Sequence, residues 1–466
     1  MNLLFKTAAR NILRNARRSL MTGSAVAAGA LAMMLFGGFV SYIFDALETS
    51  NVQRVGHVSL FRNGYFLFGS GNPAGYGVGD YQHVMDLIAN DRELKPLIYV
   101  VTPTQSLVGI AGNFSGGNEA SKTFLGVGVI PSARDKMRMW DERGTGQTRP
   151  PDGRLSDADE QRGLVGVGLA RILGLCGPLK ITQCPSPPAR EEPKGTRRED
   201  VVGLAQLDAP AASDAKKDSA PHLELLSATV GGAPNVMSFT VAGAEAQGVR
   251  ELDDNYIAMH LGLAQQLVYG RGEHKVTGIV LQLHRSEDVP AVKARLAQII
   301  AANHLDLEVR DFRDLSPFYV QVVAMFGTIF FFISLVMGVI VLFAVVNTMT
   351  MNVMERTNEI GTIRAMGVRR RGVRLQFILE GALIGAIGAT FGAILALVIG
   401  AAVNHAGLTW MPPGNSSLVP FRVDVWGHPA LVGGTWLVLT LVAMAAALLP
   451  ANRAAKLSVV DALRHV

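Results

Sequence analysis

Cysteine is almost missing from this sequence, with only Cys176 and Cys184 among 466 residues. That excludes a scaffold built on disulfides and any zinc site of the CxxC type. Charge is scarce too: 17% Asp, Glu, Lys and Arg stand against 49% hydrophobic residues, and the mean hydropathy of +0.27 argues against a wholly water-soluble chain. No nucleotide loop is legible. The nearest approach, Gly116-Gly117-Asn118-Glu119-Ala120-Ser121-Lys122-Thr123, has serine where the GxxxxGK[ST] pattern needs its second glycine, and reads as a polar turn leading into a strand. The ten histidines include no HExxH pair, and there is no GxSxG elbow, so no hydrolase is visible and the chain is expected to be non-catalytic.

Ionisable residues are also missing from four long stretches: 26 positions between Arg18 and Asp45, 40 between Asp314 and Glu355, 24 between Glu380 and His405, and Leu431–Leu449. A bilayer core of about 30 Å needs about 20 helical residues, so the sequence predicts membrane spans at 19–44, 317–354, 381–404 and 431–449. The first run is longer than the roughly 7–15 apolar residues of a secretory signal, and it is expected to be retained. No Asp, Glu, Lys, Arg or His lies near the middle of any span, which disfavours an ion-coupled carrier.

The charges that exist are segregated. Lys6, Arg10, Arg14, Arg17 and Arg18 precede the first span, six arginines separate the second and third, and Arg453, Lys456 and Arg464 follow the fourth, while the 405–430 loop has only Arg422. By the positive-inside rule the N-terminal segment 1–18, the 355–374 loop and the 450–466 tail are expected in the cytoplasm of a bacterial inner membrane, and residues 45–314 and 405–430 outside. Residues 45–314 carry 28 basic and 33 acidic residues, so no nucleic-acid surface is expected. Their patterning mixes both periods. Strands are expected at Val55–Phe61, Thr123–Val129, Leu223–Val230, Val236–Val241, Val276–Leu283 and Leu307–Val309, and helices at Tyr81–Asn90, Asn255–Val268 and Val289–Asn303, with the last two strands and the helix between them forming a βαβ unit. The expected fold is four transmembrane helices with a large α+β domain inserted between the first two. Residues 185–221, rich in proline and charge, read as a flexible insertion. Cys176 and Cys184, eight positions apart and expected outside the cytoplasm, suit a local disulfide, with free thiols or a metal pair as alternatives.

Two cytoplasmic features suggest where work enters. Lys6, Arg10, Arg14 and Arg18 repeat every four residues and form one stripe of a helix, either lying on anionic headgroups or serving only as a topogenic cluster. The loop ERTNEIGTIRAMGVRRR, 355–371, looks structured: Arg356 and Glu359 are spaced to pair, Gly367 is placed to end a helix in the left-handed conformation, and Ile360, Ile363 and Met366 fall at helical spacing. Those three apolar residues are left seeking a partner, and a cytoplasmic protein is expected to dock there. In the third span Gly381, Gly385, Ala389 and Ala393 repeat every four residues, as do Gly388, Gly392, Ala396 and Gly400; such rows permit close packing against either a partner chain or the protein's own helices.

The run ERTNEIGTIRAMGVRRRGV followed by FILEGALIGAIGATFG resembles the coupling loop and third helix of the FtsX-like permease family, the membrane subunits of macrolide-exporter and lipoprotein-releasing ABC systems. AARNILRNARRSLMT and PANRAAKLSVVDALR resemble that family's ends, and GHVSLFRNGYF and KVTGIVLQLHRSEDVPAVKARL resemble its lipoprotein-releasing branch; the Cys176–His222 region departs from it. The resemblance implies a type VII ABC permease: a dimer with a second permease chain, same or different, above two separate cytoplasmic ATPase subunits that bind ATP and Mg, with no cofactor in this chain. A MacB-like periplasmic domain would be moved by ATP-driven closure, next to membrane lipid and an acceptor or adaptor, with lipoprotein or lipid as cargo. The coupling residues it implies are Glu355, Arg356, Glu359, Ile360, Ile363, Arg364, Met366, Arg369, Arg370 and Arg371. Signalling to a cell-wall hydrolase, peptide sensing, or a receptor without energy input are the competing expectations.

Overall fold

In the computed structural model, residues 2–69, 72–114, 120–149, 153–181, 220–272, 274–412, 414–415 and 418–457 are described. The insertion expected at 185–221 lies outside them except for its last two residues, as do Cys184 and the end of the C-terminal tail. The chain begins with α1 (Asn2–Arg14) and α2 (Ala16–Val55) and continues through β1 (Val58–Arg62), α3 (Tyr81–Asn90), β2 (Ile98–Asn113), β3 (Ala120–Val129), α4 (Pro131–Arg138), β4 (Arg162–Gly166) and α5 (Val167–Ile172). After β5 (His222–Ala228) and β6 (Pro234–Glu245) come α6 (Arg250–Asp253), β7 (Tyr256–His260), α7 (Leu261–Tyr269), β8 (Gly278–Leu283), α8 (Val289–Ala302), β9 (Leu307–Asp311) and α9 (Phe312–Leu315). Last are α10 (Pro317–Glu355), α11 (Thr357–Ala365), α12 (Arg370–His405), a two-residue strand pair, α13 (Pro429–Ala446) and α14 (Leu448–Lys456).

These elements form two units. The helical unit holds 1–48, 318–410 and 419–466, and carries most of the four helices that, among the described residues, are long and apolar enough to cross a membrane: α2, α10, α12 and α13 running on into α14. Its core joins Val26, Ala30 and Met34 of α2 to Val341, Val345 and Met349 of α10, Ile384 and Ala396 of α12, and Leu439 and Ala443 of α13. Small residues set how closely these helices approach. A Cβ on Gly388 or Gly392 would lie 2.7 Å from the Gly23 carbonyl oxygen or 2.5 Å from that of Ala27, and one on Gly381 or Gly385 would meet Ala447 Cβ at 2.6 Å or Ala443 Cβ at 2.7 Å. One row of α12 glycines therefore seats against α2 and the other against α13, inside the chain. The outer side of α10 stays apolar and exposed, with Phe331, Phe332 and Phe343 each more than 60% accessible.

The sheet unit holds 49–317 and 411–418. Strand β2 is 16 residues long and serves two assemblies: its first half pairs with β8, its second with β3 and β5. Around the second half six strands close on themselves in the order β2-β3-β7-β4-β6-β5. The ring is filled by Leu107, Phe124, Leu223, Leu225, Phe239, Ile257 and Met259, backed by Leu169 of α5, Leu173 just after it, and Leu263 and Leu267 of α7. Glycine makes room for the two rings; a Cβ on Gly163 would stand 2.4 Å from Phe239, and one on Gly126 2.8 Å from Phe124. Beyond β2 the sheet continues as β8-β1-β9, covered by Val84 and Ile88 of α3 and Val292 and Leu296 of α8.

Three sequence expectations change. The βαβ unit is split, because β1 lies between β8 and β9 and pairs antiparallel with both. The strand expected at Val55–Phe61 begins at Val58, since α2 runs to Val55 and Gly56 turns the chain at φ +71°. The helix expected over Asn255–Val268 is strand β7 followed by α7. Its YIAMH run enters the ring parallel to β3 and antiparallel to β4, burying Ile257, Ala258 and Met259. In the middle of a sheet an apolar run need not alternate, so period alone does not separate such a strand from a buried helix.

Candidate functional site

The loop 355–371 is built as a clamp. Helix α10 ends at Glu355, α11 occupies Thr357–Ala365, and Gly367, at φ +94°, donates its N–H to the Arg364 carbonyl at 3.0 Å before Arg370 starts α12. At its centre Arg356, 7% exposed, holds Glu359 through Nε at 3.0 Å and Glu380 through Nη1 at 3.2 Å, with its guanidinium 5.7 Å from the centre of the Phe377 ring. Glu380 is 3% exposed and also accepts from Asn11 Nδ2 at 2.6 Å and Gln376 Nε2 at 3.4 Å. A buried carboxylate is tolerated only with such partners, and removing one of them leaves an uncompensated charge.

The N-terminal helices complete the clamp. Arg14 pairs with Glu359 and Arg18 with Glu355, so two members of the basic stripe are engaged by carboxylates of this loop region; the side chain of Lys6 lies outside the described residues. Burial pushes the Glu359 carboxyl up, but the guanidinium groups of Arg14 and Arg356 more than reverse this and hold it below its ordinary value. Arg364 donates to the Leu457 carbonyl, which ties α11 to the end of α14.

Ile360 corrects the expected docking face. It is 4% exposed and packs with Val353, Val373, Phe377, Ala451 and Ala454, so its partner is this chain. Ile363 is half-buried beside Phe377 and Gln376. The apolar surface left open consists of Met366 at 73% and Val368 at 41% exposure, next to exposed Arg369, Arg370 and Arg371. The predicted residues thus divide: Arg356, Glu359, Ile360 and Arg364 hold the loop together, Glu355 pairs with Arg18, and Met366 and Arg369–Arg371 face outward. Asn11, Gln376 and Glu380 were not picked out by sequence reasoning. The one available signal was Glu380, a lone acidic residue bordering a 24-residue uncharged run.

In the sheet unit the C-terminal end of α2 is fixed just as firmly. Gln282 donates to the Val52 carbonyl at 3.3 Å, Gln53 to the Trp140 carbonyl at 2.7 Å, and Ser316 Oγ to Asn51 Oδ1 at 2.9 Å. A Cβ on Gly56 would lie 2.4 Å from Val280 Cγ1, so the turn after α2 admits only glycine. His57 follows, fully buried: its Nδ1 accepts from the Leu283 amide at 3.0 Å, which places the proton on Nε2, 3.1 Å from Ser286 Oγ. Its ring stands edge-on to Trp140, and burial pushes its pKa down to about 3. Farther into this unit Glu245 accepts ion pairs from Arg134, Arg138 and Arg149; burial would raise its pKa, and the three arginines hold it below the ordinary value. Cys176 is disulfide-bonded.

Residues 328–459 match the family described as FtsX-like permease C-terminal. The chain therefore carries an FtsX-like permease domain and is similar to ABC-transporter permeases of the LolC and MacB type. It is 29% identical over 245 residues to the lipoprotein-releasing system transmembrane protein LolC of Neisseria meningitidis, covering 50% of this chain and 57% of the relative. It is 30% identical over 200 residues to the uncharacterized ABC transporter permease YknZ of Bacillus subtilis, covering 42% and 46%. With the macrolide export ATP-binding/permease protein MacB of Sodalis glossinidius it shares 29% identity over 273 residues, covering 56% and 39%. The chain spans about half the length of the curated relatives it matches.

Proposed function

We propose that this chain is the membrane subunit of an ABC transporter in a bacterial inner membrane, coupled to a separate cytoplasmic ATPase and paired with a second permease chain. Its termini and the 355–371 loop face the cytoplasm, and the sheet unit lies outside. ATP-driven movement enters at the Met366–Arg371 surface, is passed through the Arg356–Glu359–Glu380 clamp, and reaches the sheet unit as a shift of α2 and α10. That shift drives release or handover of an amphiphilic cargo, a lipoprotein or lipid.

One observation carries this reading. Helices α2 and α10 are unbroken over 40 and 39 residues, and each has one end in the helical unit and the other, Thr49–Val55 or Pro317, in the sheet unit. At 1.5 Å per residue each measures about 60 Å, roughly twice a bilayer core. A helix without a hinge moves as a rod, so displacement at the clamp is delivered to whatever its other end holds. LolC, named for a lipoprotein-releasing system, supports lipoprotein as cargo, while MacB is named for macrolide export.

Met366→Asp tests the entry point. The side chain is exposed, so folding and insertion should be unchanged within about 0.5 kcal/mol, while co-purification of the ATPase from the native host falls by tenfold or more. Undiminished recovery of the ATPase would sink the coupling role of this surface.

A further inference from the structure

At the end of the helical unit that carries the 405–430 loop, Asp45 of α2 meets Asp424 and His428, which stand four residues apart just before α13. His428 Nε2 lies 3.0 Å from Asp45 Oδ2 and 3.9 Å from Asp424 Oδ2, and the three ligand atoms all fall within 4.8 Å of one another. We propose that they form a site for one divalent transition-metal ion of the zinc type, which clips α2 at Asp45 to the start of α13. Nothing in the FtsX-like resemblance assigns such a site, and it departs from the expectation that the chain holds no metal.

The spacing suits an ion. Around a tetrahedral zinc with bonds of about 2.1 Å, neighbouring donor atoms stand about 3.4 Å apart, between the two separations found here. The side chains are sheltered but reachable, at 14%, 35% and 23% exposure for Asp45, Asp424 and His428. The loop is shaped to aim Asp424 inward: its amide donates to the Gly38 carbonyl of α2 at 3.1 Å, its Oδ1 accepts from the Gly427 amide at 2.8 Å, and a Cβ on residue 427 would stand 2.2 Å from its Oδ2. Any residue but glycine there would push the carboxylate off His428.

Charge points the same way. The three groups sum to −2 with a neutral imidazole, and a divalent ion, which takes lone pairs from carboxylate oxygens and from a neutral imidazole nitrogen, brings that set to zero. One imidazole with two carboxylates favours a borderline metal over calcium, which takes six to eight oxygen ligands, or magnesium, which is held mainly by carboxylates and water. Three protein donors leave a position for water, so the ion would still exchange with chelators.

The test uses the full chain in detergent, tag-free and stripped with EDTA, titrated with zinc chloride against a chromogenic chelator. The expected result is one zinc per chain, undisturbed by excess magnesium, with a higher melting temperature in zinc. Asp424→Asn and His428→Gln should each weaken binding by roughly tenfold or more, while His405→Gln, at an exposed histidine ending α12, leaves it unchanged. Asp424→Asn, the most exposed of the three, keeps the test valid if His428→Gln fails to fold. No zinc bound, or zinc bound equally by the parent and Asp424→Asn, would overturn the proposal and leave His428 as a bridge between two carboxylates.

Discussion

The two units of this chain keep their shape by opposite means. In the helical unit the close contacts are made by what is missing: glycines and alanines of α12 let the backbones of α2 and α13 approach, and buried charge is gathered into one clamp around Arg356 and Glu380. In the sheet unit large rings fill a closed barrel, Phe124 and Phe239 foremost, and polar anchors such as His57, Gln282 and Glu245 are spread through it.

Phe239→Ala should cost the most, about 3–5 kcal/mol, because the ring loses a fully buried side chain and cannot collapse around the space. Hydrogen exchange should accelerate in peptides of β2–β7 and stay unchanged in α12; faster exchange in both would mean that the units do not unfold separately. Glu380→Leu should come next. It removes one of the two carboxylates that hold the buried Arg356 and costs roughly 3 kcal/mol in thermal melts in detergent, and adding Arg356→Met should recover most of that loss. If the double variant is no better than the single one, the clamp is not an interacting pair.

The smallest effect is pH-dependent and separates the units most sharply. His57 titrates at about 3 when folded and at its ordinary value of 6.5 when unfolded, so the unfolded chain binds the extra proton as pH falls below 6.5. Its contribution is complete above that pH and is lost progressively toward pH 3. Between pH 7 and pH 5 the sheet unit should lose about 2 kcal/mol, a slope that His57→Gln abolishes. Identical pH curves for parent and variant would show that burial does not set this titration.

Much of the architecture was legible in advance because its cause is local. An uncharged run long enough to cross a bilayer is expensive to leave in water wherever it occurs, and the spacing of Arg356 and Glu359 and the helix stop at Gly367 depend only on neighbours a few residues away. The same holds for α3, α8 and β8, where one face of each element is apolar. What could not be read depends on chain segments meeting across hundreds of positions. Asn11 and Glu380 are 369 residues apart, and neither is informative until α1 and α12 are side by side.

Composition and period thus determined that there are helices long and apolar enough to cross a membrane, a structured loop between two of them, and a mixed sheet domain in the chain between the first two. Tertiary structure alone decided that six strands close into a ring, that β7 lies where a helix was expected, that Ile360 is spent on the chain's own core, and that the glycine rows of α12 face α2 and α13. The reason is that local pattern reports which face of a segment avoids water, whereas the identity of the surface covering that face is settled by closure of long loops, which leaves no local mark on either partner.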